Sequence, residues 1–155
     1  MKSYLLLKPT TRILIEWPII IAIGVLGVLL RWPRIPVSPY SNIVGIVIFA
    51  GGWIFHQFCH RDHKQAHAES QEIEGLVTTG MFSRVRHPMY LSLILMYLGL
   101  VISWGVVWML LPALFFSGLT VLIAIKEEEF LLEKFGSQYE EYRCQVPWRF
   151  IPGIF

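Results

Sequence analysis

Three short stretches carry the side chains that could do chemistry. The densest is "HQFCHRDHKQAH", residues 56–67, with four histidines and a cysteine. On a helix turning about 100° per residue, His56, His60, His63 and His67 fall within about 60° of arc. Imidazoles on one face suit zinc, iron or haem. Metal-binding histidines also want orienting carboxylates, and only Asp62 and Glu69 lie near. A single histidine, His87, lies outside the quartet. An interfacial polar collar therefore ranks ahead of a metal centre, and no metal ligand is assigned. The metalloprotein reading stays open as an alternative.

The second stretch is "RHPMY", residues 86–90. Pro88 fits the first turn of a helix, where its missing N–H would be unpaired anyway. His87 then stands at the N-cap. Arg86 and the first-turn amides give that end a positive field, which suits a carboxylate or another anion. The third stretch is "KEEE", residues 126–129. Its glutamates read either as a solvated charge run or as carboxylates turned back toward the mouth of a bundle. Position alone leaves both open.

The elements that must hold these residues are membrane helices. The chain has 155 residues, 55% of them hydrophobic and only 15% charged, with mean hydropathy +0.56. Soluble domains carry about 25% charged residues. Apolar segments run over 13–30 and 43–58. Between Pro88 and Ile125 no residue carries a charge. One span needs about 20 residues, so that stretch is two spans, 88–103 and 106–126, turned at "SWG". Backbone in lipid must satisfy its own hydrogen bonds, which makes helices the only form for these segments. The reading is an all-α, four-span protein forming a single domain over 1–155. Ser41 or Asn42 would cap the second span. Arg12 and Glu16 would pair at the membrane interface, where Trp17, Trp32, Trp53 and Tyr40 also suit. The last helix would continue past the bilayer to Gly136. Residues 106–135 measure about 45 Å at 1.5 Å per residue, against a hydrocarbon core of about 30 Å.

All lysines and arginines except Arg31 and Arg34 fall in the N-terminal tail, the 59–87 loop or the 127–155 tail with its flanking Lys126. The positive-inside rule puts those three regions, both termini included, in the cytoplasm. The net charge of +2 and the lack of a dense basic run argue against nucleic acid. Cys59 and Cys144 show no CxxC spacing. The N-terminus has no small-residue cleavage pattern, so the first apolar segment is expected to be retained.

Read together, the last two stretches say more. "LVTTGMF…RHPMY", followed by "EE…L…FG…Y…Y…VP…IP", resembles the integral-membrane methyltransferases, the family of isoprenylcysteine carboxyl methyltransferases and phospholipid N-methyltransferases. The resemblance covers about half the chain, residues 74–152. It implies S-adenosylmethionine held without a Rossmann fold, and no GxGxxG opening a helix is present. It implies a cytoplasmic cofactor pocket built by loop 59–87 and tail 127–155, and a lipophilic acceptor entering from the bilayer.

Carried over by position, the resemblance implies that Glu74, Gly75, Leu76, Val77, Phe82, His87, Pro88, Met89, Tyr90 and Glu127 bind the cofactor, with His67 a further contact. Phe82 stands where relatives usually have tyrosine. Some relatives also carry an arginine one turn before the paired glutamates, and here that turn is "VLIAI", residues 121–125. Arg149, with Tyr142 nearby, then becomes the candidate for meeting the acceptor, and Glu127, Arg149 and Tyr142 are the candidate catalytic residues. The implied reaction is most like isoprenylcysteine carboxyl methylation. A phospholipid, amine or thiol acceptor is the alternative, and a noncatalytic membrane scaffold is the bland one.

Overall fold

A computed structural model describes residues 9–35, 39–62 and 75–154. Five α-helices follow one another: α1 (Pro9–Leu29), α2 (Tyr40–Asp62), α3 (Pro88–Trp104), α4 (Leu110–Phe135) and α5 (Ser137–Gln145). Single 3-10 turns at Gly80–Ser83 and Val107–Met109 precede α3 and α4. Among the described residues there is no strand, only an isolated bridge between Arg34 and Val106. The all-α expectation holds.

Three segments are long and apolar enough to cross a membrane: Thr11–Leu29, Tyr40–Arg61 and Val107–Phe135. The 17-residue α3 is a shorter apolar helix. Outward side chains on α1, α2 and α4 are large and apolar, Leu14, Leu29, Val47 and Phe115 among them. Such surfaces suit lipid, and the chain is an integral membrane protein.

Local chemistry sets the helix ends. Pro88 occupies the first turn of α3 as expected. Gly105, with φ 70° and ψ 10°, ends that helix, and its N–H donates to the Val101 carbonyl at 2.9 Å. Gly136 ends α4 at φ 51° and ψ −124°, with its N–H on Leu132 O at 2.9 Å. Pro18 lies inside α1, where it removes one ladder hydrogen bond. The capping expectation needs correcting. Helix α2 already includes Tyr40, and the Asn42 amide donates to Ser103 O at 2.6 Å. It satisfies an orphan carbonyl at the end of α3 rather than its own helix start.

The helices run up and down. Ile35 N–H donates to Gly105 O at 2.7 Å and Val107 N–H to Pro33 O at 3.1 Å, so the α1–α2 and α3–α4 connections meet at one end. The starts of α1 and α3, and the ends of α2 and α4, share the other end. The core between them is Ile20, Leu93, Tyr97, Val101, Val106, Met109, Ala113 and Phe116. Trp17 packs inward, edge-on to Phe49 at 5.9 Å and tilted against Tyr97 at 5.5 Å. Arg12 and Glu16 also turn inward. Both are buried, and Glu16 takes the Tyr97 hydroxyl. A carboxylate in this apolar core needs such a donor, and the 3.6-residue period puts both on the face carrying Ile20.

Helices α2 and α3 make the most extensive pair. Glycines let their backbones touch: a Cβ at Gly45 would run into the Ser103 backbone, and one at Gly99 into the Phe49 backbone. Overpacking of this kind costs about 1–3 kcal/mol. Gly45→Ala is therefore expected to lower the apparent Tm of the detergent-purified protein, whereas Gly51→Ala, which meets nothing within 4 Å, is not. Equal melting of the two variants would refute the close approach.

Candidate active site

The charged stretches flanking the uncharged region converge at one end of the bundle. Arg86 precedes α3 and Glu128 lies late on α4. Arg86 Nε donates to Glu128 Oε1 at 2.8 Å, and both side chains are only 6% exposed. His87 Nε2 lies 3.2 Å from the same oxygen. Arg149 Nε donates to the other oxygen, Oε2, at 3.0 Å. Glu128 is thus the hub, one buried carboxylate serving two guanidiniums and an imidazole.

The tail is brought back to this hub by backbone pairing. Arg86 N–H donates to Trp148 O and His87 N–H to Arg149 O, each at 2.9 Å. The Arg86 guanidinium also reaches Val146 O at 2.7 Å. Phe150 packs its ring 5.8 Å from His87, on which Tyr90 stacks at 5.6 Å. Beneath lies a second apolar cluster of Leu131, Tyr139, Tyr142 and Val146, with Leu76, Leu132 and Phe135 against it. Helix α5 and the tail are therefore a docked lid on the α3 start. The anion site read at Pro88 is narrower than expected, because the His87 N–H is spent on a tail carbonyl.

Glu127, about 100° round α4 from Glu128, approaches the other nitrogen of the same His87 ring. Its Oε2 is buried with no hydrogen-bond partner among the described residues, 4.0 Å from His87 Nδ1. An ionised carboxylate only accepts hydrogen bonds, so His87 must offer Glu128 its Nε2–H. A neutral imidazole then turns a bare Nδ1 toward Glu127. Two acceptors facing across that gap call for a donor between them, from a ligand or from a second proton on His87. The Tyr90 hydroxyl lies within interaction range of both Glu127 and Arg12, and the Arg12 guanidinium sits 5.8 Å above the Tyr90 ring. By contrast Lys126 and Glu129 pair in solvent, 2.6 Å apart and more than half exposed, which contributes little.

The remaining residues singled out in the sequence divide. Pro88 is buried at the α3 start, and Met89 lends its carbonyl to Ser92 at 2.6 Å. Leu76 and Val77 are half-buried and Gly75 is exposed. The ring of Phe82 is buried, and its carbonyl takes the Tyr142 hydroxyl at 2.7 Å. Tyr142 thereby braces the loop against α5. Burial pushes its phenol well above the ordinary range, so it stays a neutral donor. Tyr142→Phe removes this hydrogen bond, and one such bond contributes about 0.5–1.5 kcal/mol. A clear fall in apparent Tm is expected, and an unchanged melting curve would show the brace to be idle.

His63, His67 and Glu74 lie outside the described residues. His56 Nδ1 sits 2.8 Å from Ser92 Oγ, and His60 packs edge-on to His56 at 5.0 Å. With Gln57 and Arg61 they line a recess of about 420 Å³. Among the described residues no group of three His, Cys, Asp or Glu could hold a metal.

Arg86, Glu128 and Arg12 were noticed in the sequence, as a positive field, a glutamate of the charge run and an interface pair, but none was assigned to the site. The signal for the first two was present. They are charges immediately flanking a long uncharged stretch, and an antiparallel helix pair returns its two outer ends to the same place. Arg12 gave no such signal.

The class is therefore a helical membrane protein with a buried ionic site at one mouth of its bundle. Residues 40–138 match the family described as phospholipid methyltransferase, and the chain belongs to that family. This bears out the resemblance carried by "RHPMY" and the paired glutamates. The chain is also 35% identical over 83 residues to a Delta(14)-sterol reductase of Mus musculus, covering 52% of this chain and 20% of that protein. It is 33% identical over 53 residues to the Delta(14)-sterol reductase of Neurospora crassa, covering 34% of this chain and 11% of that one. The chain thus spans a fifth or less of the length of these curated relatives.

Proposed function

We propose that the protein is an S-adenosylmethionine-dependent methyltransferase acting on a lipophilic acceptor from the bilayer. The observation that carries this reading is the family match over residues 40–138, which hold α2, α3 and α4 and include His87, Tyr90 and Glu127. The site fits the cofactor's groups. The gap between Glu127 Oε2 and His87 Nδ1 wants a donor, and an ammonium or ribose hydroxyl is one. Leu76, Val77, Phe82 and Met89 offer apolar surface for an adenine. When bound, the cofactor supplies a methyl group on a positively charged sulfur. The chain's own part is positioning: Glu128 holds Arg86, His87 and Arg149 in place, and the docked tail excludes water. Alignment of reactants alone can contribute about 7–11 kcal/mol. A carboxylate acceptor is already ionised at neutral pH and needs no base. An amine would need its proton taken, and Glu127 is the nearest carboxylate with capacity.

Four spans, with both termini and the site on the cytoplasmic side, remain the topology we favour. The charge asymmetry supports it, since Arg31 and Arg34 lie at the end opposite the site. The acceptor is most like an isoprenylcysteine carboxylate by the motif resemblance, while the family description favours a phospholipid. A second reading, reduction of a sterol-like double bond, is favoured by the identity to the two sterol reductases. Isothermal titration of the detergent-purified protein separates the readings. S-adenosylhomocysteine is expected to bind and NADPH, the hydride donor a reductase would need, is not. Binding of NADPH alone would replace the methyltransferase with the reductase.

A further inference from the structure

Arg12 lies outside the residues that match the family, in the first turn of α1, yet its side chain enters the site. The residue is 3% exposed, and its Nε has no hydrogen-bond partner among the described residues. A guanidinium cannot shed its charge, so burial with an idle donor is costly unless an anion completes it. The carboxylates nearby are committed or displaced. Glu16, one turn on, holds the Tyr97 hydroxyl. Glu128 serves Arg86, His87 and Arg149. Glu127 is reached across Tyr90, whose hydroxyl lies in range of both. Arg149, the arginine singled out in the sequence for meeting the acceptor, donates its Nε to Glu128. On the flank of α1 beside Arg12, Ile15 and Ile19 are apolar and exposed, within about 60° of it round the helix. An amphiphile lying along it would bring its headgroup level with Arg12.

We infer that Arg12 is the headgroup-binding residue of the acceptor site, taking the carboxylate or phosphate of a lipid amphiphile over the face of Tyr90. Bidentate pairing of a planar guanidinium suits both anions. The word acceptor rests on the methyltransferase reading; the anion site itself does not. Arg12 and Glu127 then divide the two sides of Tyr90 between acceptor anion and cofactor donor.

The test is isothermal titration of the full chain in neutral maltoside micelles with oleate, dodecyl phosphate, oleyl alcohol and S-adenosylhomocysteine. The wild type is expected to bind at least one anionic probe, and the tighter of the two assigns the headgroup. Arg12→Gln should weaken that probe by about tenfold or more, the loss of one charge-assisted pair. Oleyl alcohol and S-adenosylhomocysteine should be unaffected, the latter also reporting a folded site. Arg12→Lys, which keeps the charge but not the fork, should lose only part of the affinity. It carries the test if the glutamine variant fails to fold. Unchanged binding of the anionic probes in a variant, or no binding of either by the wild type, would overturn the inference. So would loss of S-adenosylhomocysteine with oleate retained, which would assign Arg12 to the cofactor. If the wild type binds oleate through Arg12 but never S-adenosylhomocysteine, the anion site stands and the methyltransferase reading falls.

Discussion

Glu128→Ala is expected to be the most damaging single substitution in this protein. It strands Arg86, 6% exposed, and removes the Glu128 partner of Arg149. Removing one partner of a buried ion pair costs about 3–5 kcal/mol, because the remaining charge cannot regain its water. For a chain of this size the apparent Tm should fall by roughly 10 °C or more. The loss should begin at the tail. Residues 137–154 are held to the α3 start by the Glu128 pairs, two backbone hydrogen bonds and the small cluster around Tyr139. Limited proteolysis should therefore cut the variant between α4 and residue 154 before the helical core opens. The double variant Arg86→Met/Glu128→Met separates charge from packing. It should melt well above Glu128→Ala, since no charge is stranded. If it melts no higher, the ion cluster is not what holds the tail.

Glu127→Gln should behave in the opposite way. No hydrogen bond on Oε2 is lost, and its side chain is 17% exposed, so the melting temperature should hardly move. Affinity for S-adenosylhomocysteine should fall by about ten- to a hundredfold, because a hydrogen bond to a charged group contributes about 1.5–3 kcal/mol. The pair of adjacent glutamates is thus separable by experiment, one by stability and the other by binding. An unchanged dissociation constant in a folded Glu127→Gln sample would remove Glu127 from the cofactor site.

The contrast between these neighbours shows where reading the chain alone stops. "RHPMY" and "KEEE" were legible as a site because their residue types are out of place in so apolar a chain. Glycine and proline positions also announced the ends of α3 and α4. Which glutamate is the hub was not legible. Adjacent helix residues point about 100° apart, and only packing against Arg86 and Arg149 says which one turns inward. The histidine face meets the same limit. Its shared side was visible, but that His56 meets Ser92 on α3 was not.

Residue types by themselves determined the helices, the membrane setting and the two charged stretches, because lipid allows backbone few other forms and makes every stray charge conspicuous. The inward turn of Arg12, Glu16 and Trp17 was decided by tertiary structure alone. Helices apolar on nearly every side carry no amphipathic stripe to show which face meets a neighbour. Only the close approach of α2 and α3 at Gly45 and Gly99, and the packing of α1 beside them, settles which polar groups meet in the dark of the bundle.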